Sequence, residues 1–262
     1  MADAAGAQLC EVAEPQAPLR HAPSPDAPLD TEALKGERVT VFETEEGWAR
    51  GRLEADGYVG YLPANALREA GPPPTHKVVA LRTLVFPAPS IKLPPLEALP
   101  LGSLLAIARL EGPLAVTAAG GYVPARHLLP VDAMEPDFVA VAERFLGAPY
   151  LWGGKTSQGL DCSGLVQVAL TACGVPCPRD SHMQEAAVGA ALPLDLGTLK
   201  RGDLVFWKGH VAIARDAATL IHANAFHMAV AIEPLAEAVA RIAAAGSEVT
   251  SLRRPGTAGQ CG

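Results

Sequence analysis

A single cysteine, Cys162, stands between Asp161 and Ser163 in the stretch GLDCSGLVQVAL, Gly159 to Leu170. The apolar residues after it, Leu165, Val168, Ala169 and Ala172, recur at helical spacing, and Gly174 offers a stop. The thiol is therefore expected at a helix N-terminus, with Asp161 or Ser163 capping the free amides. Unpaired N–H groups and the positive end of the helix dipole would lower its pKa and raise the thiolate fraction. The same amides could hold a developing oxyanion. Such a thiol gains from exposure, although the position also suits a small buried residue.

A nucleophilic thiol needs a base. His210 opens the run HVAIA and His222 lies in the run TLIHA, with turn residues between them. A hairpin with a three-residue loop at Arg215 to Ala217 sets the two imidazoles opposite each other on one face. One ring can then take the thiol proton while the other holds it in the right tautomer. Cys162, His210 and His222 could instead ligate zinc. A zinc deaminase would also want a Glu beside a His ligand and a Cys-x-x-Cys pair, and the chain has neither. Cys173 and Cys177 fit ordinary structural positions. No cofactor or metal is expected.

The elements that position these residues fall into two styles. Over roughly the first 135 residues, short alternating strands are punctuated by Pro and Gly, with turns expected at Glu45 to Gly47 and at Asp56-Gly57. DGYVGYLPANAL is echoed by GGYVPARHLL about sixty residues later. The pattern resembles bacterial SH3 domains and implies two small all-β SH3-like barrels, over 15–70 and 75–131, after an N-terminal tail at 1–14. A linker follows near Val131 to Asp137. Then come helical runs (DFVAVAERFLGAPY, stopping at Gly147, and the Cys162 run), strands (GDLVFW, HVAIA, TLIHANA) and a closing helix, PLAEAVARIAAAG. Helices followed by antiparallel strands give an α+β domain over 136–250, with a flexible tail at 251–262.

Composition narrows the partners. With 21 basic and 28 acidic residues the net charge is −7 and no basic stripe is present, so no nucleic-acid partner is expected. No apolar run approaches the roughly 18 residues needed to span a bilayer, so no membrane partner is expected either. MADAAGAQLCEVAEP lacks the basic and apolar parts of a signal peptide, and five cysteines form an odd set suited to free thiols. The expected location is cytoplasmic; the oligomeric state is not legible.

GAPYLWGGKTSQGLDCSGLVQ, PRDSHMQ, LKRGDLVFWKGHVAIA and LIHAN, in that order over about residues 137 to 242, resemble the NlpC family of cell-wall cysteine peptidases. The resemblance implies a papain-like catalytic fold. With SH3-like copies ahead of it, the chain is similar to γ-D-glutamyl-L-diamino acid endopeptidases that trim murein peptides. It implies Cys162 as nucleophile, His210 as base, His222 as orienter, and Tyr150 beside the oxyanion. It also implies that Asp161, Ser163, Arg179, Asp180 and Ser181 read a murein tripeptide with a free N-terminal L-Ala, and that Tyr58 of the first barrel closes the cleft. Asp161 would then pair with the substrate ammonium, though it equally suits a plain helix cap, and Arg179 and Asp180 a loop ion pair. Two other functions remain open: an inert wall-peptide or protein binding module, and an acyltransferase or amidase on the same fold.

Overall fold

The computed structural model describes residues 6–256. The chain divides into two compact units that meet at Ala133 and Met134.

The N-terminal unit is all β. Its first half is a seven-stranded sheet whose strands lie in the order Leu29–Leu34, Gln16–Arg20, Val59–Pro63, Trp48–Leu53, Arg38–Glu45, Gln8–Val12 and Leu67–Glu69. Alternate side chains face inward, and Val12, Leu19, Val39, Leu53 and Leu62 form the core. The turn in EEGW is a two-residue hairpin. Glu45 pairs with Trp48, and Glu46 and Gly47 both take positive φ, 48° and 84°, as the twist of a tight hairpin requires. A second core gathers Val78, Val85, Leu99, Leu105, Ala115, Val123 and Leu128 from the short strands of the second half. The echoed motifs close alike: Pro63 and Pro124 each lead into a single 3₁₀ turn, Ala64–Ala66 and Ala125–His127. The halves share contacts, among them an ion pair of 2.6 Å between Lys35 and Glu97. Within the expected tail at 1–14, residues Gln8–Val12 instead form a strand paired with two others, because Cys10 and Val12 supply core side chains.

The second unit is α+β. Among the described residues, four helices, α1 (Phe138–Glu143), α2 (Cys162–Ala172), α3 (Ser181–Ala187) and α4 (Leu235–Ala244), accompany a six-stranded antiparallel sheet. Asp137 caps α1 by accepting from the amides of Val139 and Ala140. That helix ends at Glu143, short of the expected Gly147, and the chain continues in tight turns to Gly147 at φ 81°. The strands lie in the order Ala190–Leu192, Val249–Arg254, Leu204–Trp207, His210–Ala214, Thr219–Asn224 and Ala229–Pro234. Every residue of α2 from Cys162 to Leu170 is buried, so this helix has no solvent face along that length.

The expected flexible tail at 251–262 is corrected in part. Residues up to Arg254 belong to a strand held between two others, anchored by fully buried Leu252. Cys261 lies outside the described residues; the four cysteines within them are free thiols.

Candidate active site

The first turn of α2 is fixed by charge. The Asp161 carboxylate accepts the Gly164 amide at 2.7 Å, the Gly153 amide at 2.8 Å and the Ser163 hydroxyl at 3.2 Å. Arg179, only 2% exposed, grips it with two bonds of 2.9 and 2.8 Å, and also donates to Ser163 Oγ and the Gly154 carbonyl. This bidentate pair cancels both charges in a buried setting, where neither could stand alone. Gly164 must lack a side chain, because a Cβ there would collide with the Gly154 carbonyl oxygen. Asp161 is therefore a helix cap and an ion-pair partner at once. A substrate ammonium would have to share oxygens already held by Arg179. The charge of Asp180 also acts on Arg179, after that of Asp161.

Cys162 is 7% exposed, not the open thiol expected from its sequence setting. Its sulfur accepts the backbone amides of Val211 and Ser163. Burial, followed by the negative charge of Asp161, pushes its pKa up to about 11 in spite of those two amides. The expected lowering by the helix N-terminus is thus outweighed by desolvation.

The Val211 amide also locates the base, since it follows His210. Trp207 and His210 pair across a two-residue turn at Lys208-Gly209, with Gly209 at φ 76°. His210 Nε2 lies 2.9 Å from His222 Nδ1, with ring centroids 5.1 Å apart. The two histidines share a face, as their spacing implied, but they are not directly opposite. Ile213 pairs with Ile221 and Ala214 with Leu220, so the loop is two residues longer than expected and the imidazoles meet diagonally. Burial, and then the neighbouring His222, drive the His210 pKa down to about 3. Burial lowers His222 to about 4, with Glu233 opposing. At neutral pH both rings are uncharged.

Tyr150 is half-buried. Burial first, and then the nearby Cys162 and Asp161, push its pKa up to about 12, so the phenol remains a hydrogen-bond donor. Asp180 and Ser181 open α3, which is tied to α2 through Gln184, whose amide donates to the Ser163 and Pro178 carbonyls at 2.9 and 2.8 Å. Tyr58 belongs to the other unit, where it packs against that unit's own core beside the Asp56-Gly57 turn.

Two residues escaped the sequence reading. Glu233 Oε2 lies 3.1 Å from His222 Nε2, and Arg241 pairs with Glu233. The available signal was a lone carboxylate in the apolar strand AVAIEP. His222 pairs with Ala231, so parity puts Glu233 on the histidine's face. With both nitrogens engaged, His222 has none left for a metal. Among the described residues no cluster of three or more His, Cys, Asp or Glu is arranged to hold one.

A neutral thiol beside a neutral imidazole makes a testable statement about pH. The thiolate fraction of Cys162 at pH 7 should be about 10⁻⁴ and grow about tenfold per pH unit until the pKa near 11. Iodoacetamide labelling of the Cys162 peptide, followed by mass spectrometry, should climb steadily from pH 7 to 10. A flat rate between pH 6 and 8 would instead reveal a resting thiolate–imidazolium pair.

Comparison with known proteins agrees with this architecture. A family model described as "NlpC/P60 family" matches residues 147–245, and one described as "Bacterial dipeptidyl-peptidase Sh3 domain" matches residues 19–67. Gamma-D-glutamyl-L-lysine dipeptidyl-peptidase of Bacillus subtilis (strain 168) is 30% identical over 240 residues, covering 82% of this chain and 78% of that protein. The protein of the same name from Bacillus cereus (strain ATCC 10987 / NRS 248) is 29% identical over 239 residues, covering 79% and 71%. Among solved structures, an NlpC/P60 family protein from Bacillus cereus ATCC 10987 shares the fold with a TM-score of 0.81 at 22% identity, covering 95% of this chain and 99% of that one. An SH3-like β region followed by an α+β catalytic domain is the fold class the sequence led us to expect.

Proposed function

The chain belongs to the NlpC/P60 family of cysteine peptidases, and from that premise we propose that it hydrolyses the γ-D-Glu–diamino acid bond of free murein peptides, releasing the dipeptide L-Ala-γ-D-Glu. The observation that carries this is the seating of Cys162 at the start of α2. Its sulfur lies on the Val211 amide beside a His210–His222 pair joined at 2.9 Å. The relatives named as γ-D-glutamyl-L-lysine dipeptidyl-peptidases support the bond and the dipeptide product.

In this reaction the Cys162 proton moves to His210 as the sulfur attacks the γ-carbonyl carbon. The carbonyl oxygen takes the negative charge, with the Tyr150 hydroxyl and the Cys162 backbone amide as its donors. His210 returns the proton to the departing amine, leaving a thioester on Cys162. A water then gives a proton to His210, adds to the thioester carbon and expels the thiolate, which recovers the proton. The dipeptide acid leaves. Because the resting thiol is neutral, attack and proton transfer are coupled and take place only with substrate in position.

Ser163, Arg179, Asp180 and Ser181 form the polar side of the substrate subsite, with the Asp161–Arg179 pair as its fixed base. Among the described residues no helix is long and apolar enough to cross a membrane. We assign the enzyme to free, soluble wall peptides, in line with the dipeptidyl-peptidases it resembles.

The test uses L-Ala-γ-D-Glu-L-Lys and L-Ala-γ-D-Glu-diaminopimelate, each with a free and an acetylated N-terminus. Mass spectrometry should find the dipeptide from at least one free tripeptide, and its acetylated form should be cut at least about tenfold more slowly. No dipeptide from either would sink the assignment. Equal rates for free and acetylated forms would remove only the free-amine requirement.

A further inference from the structure

The polar chain from Cys162 does not stop at the second histidine. His222 Nε2 lies 3.1 Å from Glu233 Oε2. Glu233 is 6% exposed, and Arg241 donates to it twice, Nε to Oε1 at 3.0 Å and Nη2 to Oε2 at 2.7 Å. The Arg241 guanidinium itself lies 4.3 Å above the Phe226 ring, which holds it in place. We propose that Glu233 is a positioning residue of the peptidase site: a carboxylate that can only accept fixes the proton order of both imidazoles, and so decides that His210 presents Nδ1 to the thiol as a base. This rests on the assignment of Cys162 and His210 made above.

The inference follows from counting donors. An ionised carboxylate has no hydrogen to give, so the contact with His222 requires a proton on that ring's Nε2. A neutral imidazole carries one N–H, which leaves His222 Nδ1 as an acceptor. The 2.9 Å contact between the rings then needs its hydrogen from His210 Nε2. With its single proton spent there, His210 keeps a bare Nδ1, the nitrogen that remains for Cys162.

The histidine pair alone would not choose this order. Reversing both tautomers preserves the ring-to-ring hydrogen bond at the same distance, but leaves a proton on His210 Nδ1 and no base. Glu233 breaks the tie. Arg241 in turn keeps Glu233 ionised: burial alone would raise its pKa, yet the bonds and charge of Arg241 outweigh burial and hold it below the ordinary value. An ion pair serving only to fasten α4 to its neighbouring strand would not need to share Oε2 with His222.

The experiment is a two-bond ¹H–¹⁵N spectrum of the full chain with labelled histidine at pH 7. His210 and His222 should both be Nε2–H tautomers. A proton on Nδ1 of either ring overturns the proposal, whatever the activity. Glu233→Gln, close to isosteric, can donate as well as accept and so no longer imposes an order. It should lower kcat about 10- to 100-fold with KM within about twofold, while His222 becomes a tautomer mixture. Unchanged kcat, or a fall in kcat with both tautomers unchanged, counts against Glu233. If that variant fails to fold, the parent spectrum still decides. If the parent cuts no tripeptide, the function assignment fails, and the same spectrum reports the proton order independently.

Discussion

Cys162→Ala is expected to fold as the parent does and to lose at least about 10⁴-fold in kcat/KM on the tripeptide. The substitution removes one sulfur and leaves the Asp161 cap and its Arg179 partner in place. Asp161, not the thiol, secures the first turn of α2, so helix and fold should survive. Cys162→Ser should fail almost as badly, because a hydroxyl is far harder to ionise than even a raised thiol. Cys173→Ala and Cys177→Ala are the controls. Both side chains are buried, and both variants should retain turnover at some cost in stability. Dipeptide release measured by mass spectrometry decides the matter: Cys162→Ala working within a hundredfold of the parent would end the cysteine-peptidase assignment.

His210→Ala should be nearly as damaging, by about 10³- to 10⁴-fold, because nucleophile and base act as one unit. The structure adds a signature. A thiol with a pKa near 11 has little thiolate at neutral pH unless a base removes its proton in the reaction. Without His210, residual turnover should depend on free thiolate and rise about tenfold per pH unit above pH 7. The parent should not show that slope. His222→Gln should cost less, since an amide oxygen can still accept from His210 Nε2. EDTA should change nothing; loss of turnover with EDTA and its return with zinc would move the chemistry to a metal. A His210→Ala enzyme with parent-like rates would mean that another group serves as base.

Much of this site was legible in the chain because it is built from local pieces. The Cys162 helix, its Asp161 cap, the strands of the histidine hairpin and their parity all follow from short-range pattern. What escaped depends on three-dimensional burial. The DCS triplet looks like a solvent-facing helix entrance, yet the α2 segment it opens is buried all round, and that reverses the direction of the Cys162 pKa. Arg179 stands next to Asp180 in sequence, and nothing local announces that its guanidinium also reaches back 18 residues to Asp161. Glu233 acquires its meaning only when its strand lies beside the His222 strand. Nor does VTSLRR announce a strand, since among its residues only Leu252 is fully buried and the rest are polar or half-buried.

That last strand limits how far the catalytic unit can be trimmed. Val249–Arg254 is threaded between Ala190–Leu192 and Leu204–Trp207, so the sheet beneath the histidines is completed by residues well downstream of them. The family match ends at residue 245, which invites a minimal enzyme cut there. Such a fragment would keep Cys162, His210 and His222 but bare one edge of Leu204–Trp207, a strand whose four residues are all buried. An open edge of that composition is a template for another chain. A shortened catalyst would carry every reactive group and still precipitate, so the engineering boundary of this peptidase lies beyond its chemistry, after Arg254.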